Sequence, residues 1–113
     1  MPIDPHWEVS VQDVKTRLDK KDDFLLLDVR QPEEFAVARI PGARLVPLGD
    51  LAGRIEELQS LAEGRPIVAH CHHGGRSLKA ASFLRQSGFP DVRSMAGGID
   101  AWSVMIDPTV ARY

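Results

Sequence analysis

The stretch from Pro66 to Arg85 constrains this chain more than any other. Pro66-Ile67-Val68-Ala69 is a short apolar run of strand character. It leads directly into His70-Cys71-His72-His73-Gly74-Gly75-Arg76-Ser77, which holds the only cysteine. Leu78-Lys79-Ala80-Ala81-Ser82-Phe83-Leu84-Arg85 follows with the spacing of a helix. A thiol at the end of a buried strand, ahead of glycines and a helix start, faces free backbone N–H groups and the positive end of a dipole. Such a setting favours a thiolate or another anionic sulfur species. Arg76 adds a permanent cation. Gly74 and Gly75 let the backbone curl without a Cβ penalty, so several N–H groups can converge on one anion.

Phe24-Leu25-Leu26-Leu27-Asp28-Val29 is a continuous apolar run broken only by Asp28, which suits a parallel strand covered on both faces. Trp7-Glu8-Val9, Ala43-Arg44-Leu45-Val46 and Asp91-Val92-Arg93-Ser94-Met95 are shorter strand candidates. Between them, Ser10 reads as an N-cap with Asp13 in capping-box position, and Val11, Val14 and Leu18 follow at helical spacing. Pro32 suits the first position of a short helical turn over Gln31–Phe35. Leu51, Ile55, Leu58 and Ala62 form another helical stripe, ended at Gly64. A helix from Ser77 to Ser87 and a last one around Asp100–Met105 complete the pattern. Strands alternating with helices imply an α/β domain with a parallel sheet. Ligands of such sheets bind beyond the carboxyl ends of the strands, where Asp28 and Cys71 both fall.

At 113 residues the chain fits one domain with one core. We read 1–113 as that domain, with 1–5 and 106–113 as flanking tails; the segment 107–113 has no periodicity and is expected along the surface. A net charge of −2 gives no general reason to expect nucleic acid or an anionic membrane as partner. Neither a signal-peptide pattern at Met1–His6 nor an apolar stretch of membrane-spanning length is visible. A lone cysteine excludes an internal disulfide and favours a reducing compartment, so the expected location is the cytoplasm. The four residues His70 to His73 invite a metal, but neighbouring strand residues point to opposite faces and converge poorly on one ion. No metal site is assigned.

Cys71-His72-His73-Gly74-Gly75-Arg76-Ser77 resembles the C-x-x-G-x-R-S loop of single-domain rhodaneses, which carry sulfur as a cysteine persulfide. Two further segments resemble the same family in order. Asp28-Val29-Arg30 with Glu33-Glu34-Phe35 and Ile40-Pro41-Gly42-Ala43 is similar to its first signature, and Gly97-Gly98-Ile99-Asp100-Ala101-Trp102 to its last. Ala38-Arg39 stands where the first signature usually has Gly-His, so no histidine role is carried over there.

The resemblance implies a three-layer rhodanese fold, with a central parallel sheet of about five strands and helices on both faces. It implies a sulfurtransferase of the thiosulfate:cyanide type, needing no cofactor. Cys71 would be the nucleophile. His72, His73, Gly74, Gly75, Arg76 and Ser77 would meet a small anionic donor such as thiosulfate, with Asp28 and Arg30 supporting the loop from behind. The acceptor would be cyanide, a thiol or a protein.

Three rivals remain at this point. Cysteine phosphatases and arsenate reductases of related fold have one more residue in the loop than His72, His73, Gly74 and Gly75 provide. Cys-His-His-Gly together with Ile106-Asp107-Pro108 and Arg112-Tyr113 resembles the rhodanese domains of enzymes that adenylylate sulfur carriers, which would make this chain a relay module acting in trans. A non-catalytic binding module is the third, and the intact Cys71 argues against it.

Overall fold

A computed structural model describes residues 7–113, so the expected tail 1–5 lies outside the described residues. The strands β1 (Glu8–Val9), β2 (Leu25–Asp28), β3 (Arg44–Leu45), β4 (Ile67–His70) and β5 (Val92–Met95) form one sheet in the order β1-β5-β4-β2-β3. Every neighbouring pair is parallel. The central strands β2 and β4 are buried at every residue, which is why each reads as a continuous apolar run up to one polar residue, Asp28 or His70.

Side-chain alternation along these strands divides the core into two. Leu25, Leu27, Ile67, Ala69 and Cys71 pack on one face with Leu58 and Ala62 of α3 (Ile55–Ala62) and Ala80, Ala81 and Leu84 of α4 (Gly75–Gln86). Leu26 and Val68 pack on the other with Val11 and Val14 of α1 (Val11–Asp19) and Ile99 and Trp102 of α5 (Gly98–Met105). Helices therefore cover both faces of the sheet. The short α2 (Pro32–Val37) buries none of its residues.

The elements differ from the sequence expectations mainly at their ends. The Ser10 hydroxyl accepts the Asp13 N–H at 3.0 Å, as its cap position requires. The stripe expected from Leu51 onward is a 3-10 segment over Leu48–Arg54 before it becomes α3, with Gly49 and Gly53 inside that segment. Glycine weakens an α-helix interior, consistent with the tighter start. α4 begins at Gly75 and α5 at Gly98, each two residues before the sequence expectation, because glycines precede them as caps rather than as loop. Among the described residues no helix is long and apolar enough to cross a membrane.

In the register of β2 against β4, Asp28 pairs with His70. The residues that follow, Val29–Arg30 and Cys71–Ser77, leave the sheet at the same carboxyl edge.

Candidate active site

The turn from β4 into α4 is built around one sulfur atom. Cys71 is 1% exposed, and its Sγ accepts the N–H of Gly74 at 3.0 Å and of Ser77 at 3.4 Å. For the Gly74 N–H to point back at a side chain three residues earlier, its backbone takes φ of 116°, which only glycine adopts cheaply. Gly75 needs no such freedom: it lies in the first turn of α4, and nothing would meet a Cβ there within 4 Å. The special backbone expected at both glycines therefore belongs to Gly74. Ser77 closes the cradle from below: its Oγ donates to the Gly74 carbonyl at 3.1 Å and lies 2.6 Å from Ser94 Oγ and 3.5 Å from Sγ.

The start of α5 holds the other side of the loop. Ile99 N–H donates to the Cys71 carbonyl at 2.9 Å and Asp100 N–H to the His72 carbonyl at 3.1 Å. A Cβ on Gly98 would collide with both carbonyls, so the Gly97-Gly98-Ile99-Asp100 segment permits an approach that no larger residue allows.

Asp28 and Arg30 stand behind the loop, both wholly buried. Arg30 Nε contacts both Asp28 oxygens at 2.9 and 3.1 Å, and Nη2 donates to Asp28 Oδ2 and to the Ala38 carbonyl, each at 2.6 Å. His70 Nε2 lies 3.8 Å from Asp28 Oδ2, and neither ring nitrogen has a hydrogen-bond partner among the described residues. Burial pushes His70 down to about 4, against the opposing pull of Asp28. The ring is neutral at pH 7.

Arg76 is placed at the rim but already has a partner. Its Nη1 and Nη2 donate to Glu34 Oε1 and Oε2 at 2.6 and 2.9 Å. Glu34 also accepts the Gln31 N–H at 3.0 Å, as the N3 residue of a capping box, and the Tyr113 hydroxyl at 2.8 Å. The Arg76 hydrogen bonds hold the Glu34 carboxyl down at about 2, well under the usual carboxylate range.

His72 is half-buried and stacks on His73, with centroids 4.0 Å apart, and on Tyr113, at 4.1 Å and 9° between planes. Burial first, then the charge of His73, lowers its pKa from the ordinary histidine value. His72 therefore gains charge only at lower pH than an ordinary histidine. His73 is exposed, with Nδ1 4.0 Å from Asp100 Oδ2.

All nine residues singled out in the sequence thus gather at one edge of the sheet. Glu34, Ser94 and Tyr113 were missed. Glu34 and Tyr113 both lay inside quoted motifs without being assigned to the site, and Glu34 closes a capping box as well, whereas nothing local marks Ser94.

A profile described as "Rhodanese-like domain" matches residues 10–105. The chain is 35% identical over 104 residues to a protein of Allochromatium vinosum named "Sulfurtransferase", covering 92% of this chain and 94% of that protein. It is 34% identical over 104 residues to "Thiosulfate sulfurtransferase GlpE" of Pseudoalteromonas translucida, covering 92% and 95%. Among solved structures, the human single domain sulfurtransferase TSTD1 superposes with a TM-score of 0.75 at 28% identity, covering 88% of this chain and 96% of that one. Other relatives are much longer: the chain spans 38% of the Arabidopsis thaliana "Rhodanese-like/PpiC domain-containing protein 12, chloroplastic", at 30% identity. With the matched profile spanning most of its length and full-length relatives of the same size, this chain belongs to the rhodanese-like domain family.

Proposed function

We propose that the chain is a sulfurtransferase that carries sulfane sulfur on Cys71, from a small anionic donor such as thiosulfate to cyanide or an acceptor thiol. The observation that carries this reading is the position of Cys71 Sγ, held by the amides of Gly74 and Ser77 at the start of a 12-residue helix. Those donors and the helix dipole stabilise negative charge on sulfur without reorganising. The names of the Allochromatium and Pseudoalteromonas relatives support the reaction class, and the second supports the donor.

In the first step the Cys71 thiolate attacks the outer sulfur of thiosulfate. The donor S–S bond breaks, its electron pair leaves with sulfite, and Cys71 becomes a persulfide anion. In the second step cyanide or a thiolate attacks the terminal sulfur. The Sγ–S bond breaks, its pair returns to Cys71, and thiocyanate or a new persulfide departs. No proton or electron is left over, and this is covalent catalysis in two displacements. His72 and His73 follow Cys71 on its loop, and Gly74, Gly75, Arg76 and Ser77 form the wall that receives the donor. Asp28 and Arg30 support that wall. An unpaired thiol doing this work belongs in a reducing compartment, and we place the chain in the cytoplasm.

The test is Cys71→Ser. Oxygen cannot carry sulfane sulfur but can accept the same amide N–H groups, so the variant should fold and lose all thiosulfate:cyanide activity. Intact-mass measurement after thiosulfate treatment should show one added sulfur atom in the native chain and none in the variant. Sulfur uptake by a folded Cys71→Ser chain would refute the assignment.

A further inference from the structure

Segment 107–113 crosses the surface and ends on the rim of the loop. Val110 is buried, and its carbonyl accepts the Ser103 hydroxyl. Arg112 donates to Asp100 through Nε at 3.0 Å and Nη2 at 3.4 Å. These anchors leave Tyr113 little freedom, although it is 41% exposed. So exposed a ring adds little to the core, yet its hydroxyl and its ring face are both engaged.

We propose that Tyr113 is a positioning residue of the sulfur-transfer site: its hydroxyl braces Arg76 through Glu34, and its ring holds His72 over the loop. This rests on the sulfurtransferase reading of Cys71.

The hydroxyl arm has a fixed direction. Arg30 Nη1 donates to Tyr113 Oη at 2.7 Å, and guanidinium can only donate, so the phenol must accept there. Its single proton then goes to Glu34 Oε2, 2.8 Å away. Arg30 is wholly buried and bonded to Asp28 and Ala38. Tyr113 therefore transmits the position of a buried anchor to a carboxylate at the rim. That carboxylate in turn sets the plane of the Arg76 guanidinium by two parallel hydrogen bonds. Arg76 adjoins Ser77, whose N–H faces Cys71 Sγ. A cation held in one orientation contributes to charge stabilisation on sulfur without having to find its place in each step.

The ring arm acts on the residue after the nucleophile. Tyr113 and His72 lie nearly parallel, 9° apart, with centroids 4.1 Å apart. The His72 backbone is held from the other side by Asp100 N–H, so the stack fixes the remaining freedom of the side chain. The two arms use different atoms of Tyr113 and can be removed separately.

Tyr113→Phe keeps the stack and removes the brace; Tyr113→Leu removes both. In the full chain, with thiosulfate as donor and cyanide as acceptor, Tyr113→Phe should raise donor KM about three- to tenfold, the worth of one hydrogen bond in a charged network. Its kcat should stay within about twofold, and the same constant is expected to move further in Tyr113→Leu. The His72 imidazole resonances, assigned by comparison with His72→Gln, should shift in Tyr113→Leu as the ring current is lost and stay near native in Tyr113→Phe. Unfolding midpoints close to native in Tyr113→Phe keep the kinetic comparison free of folding effects. A native KM in Tyr113→Phe overturns the brace, and unmoved His72 resonances in Tyr113→Leu overturn the stack. If thiosulfate adds no sulfur to the native chain, the sulfurtransferase reading fails instead, and the His72 resonances still report on the ring.

Discussion

Arg76 and Glu34 show how one residue's charge is managed at this site. A bare arginine on the Cys71 loop would draw any anion; here a carboxylate meets it through two hydrogen bonds. Both side chains are partly exposed, 35% and 21%, so solvent screens the pair and its worth is about 1 kcal/mol rather than the larger figure of a buried one. Glu34→Gln replaces one acceptor oxygen by a donor facing a donor. The variant should lose about 1 kcal/mol of unfolding free energy at neutral pH. With Glu34 at about 2 when folded and near 4.5 otherwise, its stabilisation is complete above the upper value and is lost as pH falls toward the lower one. Urea titrations at pH 7 and pH 3 should therefore show the gap between native and variant narrowing in acid. A gap independent of pH would mean that the carboxylate charge is not what holds Arg76.

At the scale of elements, the junction of α5 with the Cys71 loop is the most demanding contact. Two helix N–H groups reach two loop carbonyls, and Gly98 sits between them at φ of 60°. Gly98→Ala introduces both a left-handed strain and a collision with backbone, which has no flexible end to swing aside. We expect a loss of about 2 kcal/mol or more, by the sum of strain and displacement, and slower sulfur uptake because Cys71 moves with its carbonyl. Gly53→Ala is the control. It lies in the 3-10 segment with open space around it and should change stability by less than about 0.5 kcal/mol. Equal effects of the two substitutions would show that the loop does not depend on that close approach.

For the molecule as a whole, the buried His70 ties folding to pH. Folded, it titrates at about 4; unfolded, near 6.5. Between those values the unfolded chain binds a proton that the folded chain refuses, so stability rises with pH across the window and is lost on acidification. By pH 5 the loss from this ring should reach roughly 2 kcal/mol. His72, also lowered, acts in the same direction. Unfolding free energies at pH 7 and pH 5 test this, and His70→Leu should reduce the difference. A native chain equally stable at both values would mean that the ring takes up its proton without leaving its place beside Asp28.

The sequence by itself determined what depends on neighbours a few residues apart. The runs Leu25–Asp28 and Ile67–His70 read as covered strands because they bury consecutive apolar residues over only four positions, too short for a buried helix. The turn around Cys71 was legible too, since Cys71, Gly74 and Ser77 meet within a few residues of chain. Pairing across the fold was not. The resemblance assigns Arg76 to a donor, whereas its partner Glu34 lies 42 positions away, and Tyr113 joins Glu34 and Arg30 across 79 and 83 positions. Periodicity and spacing report which face a side chain occupies, whereas the partner across that face depends on sheet order. Only the assembled sheet β1-β5-β4-β2-β3, with segment 107–113 folded back to the loop, brings Glu34, Arg76 and Tyr113 to one edge.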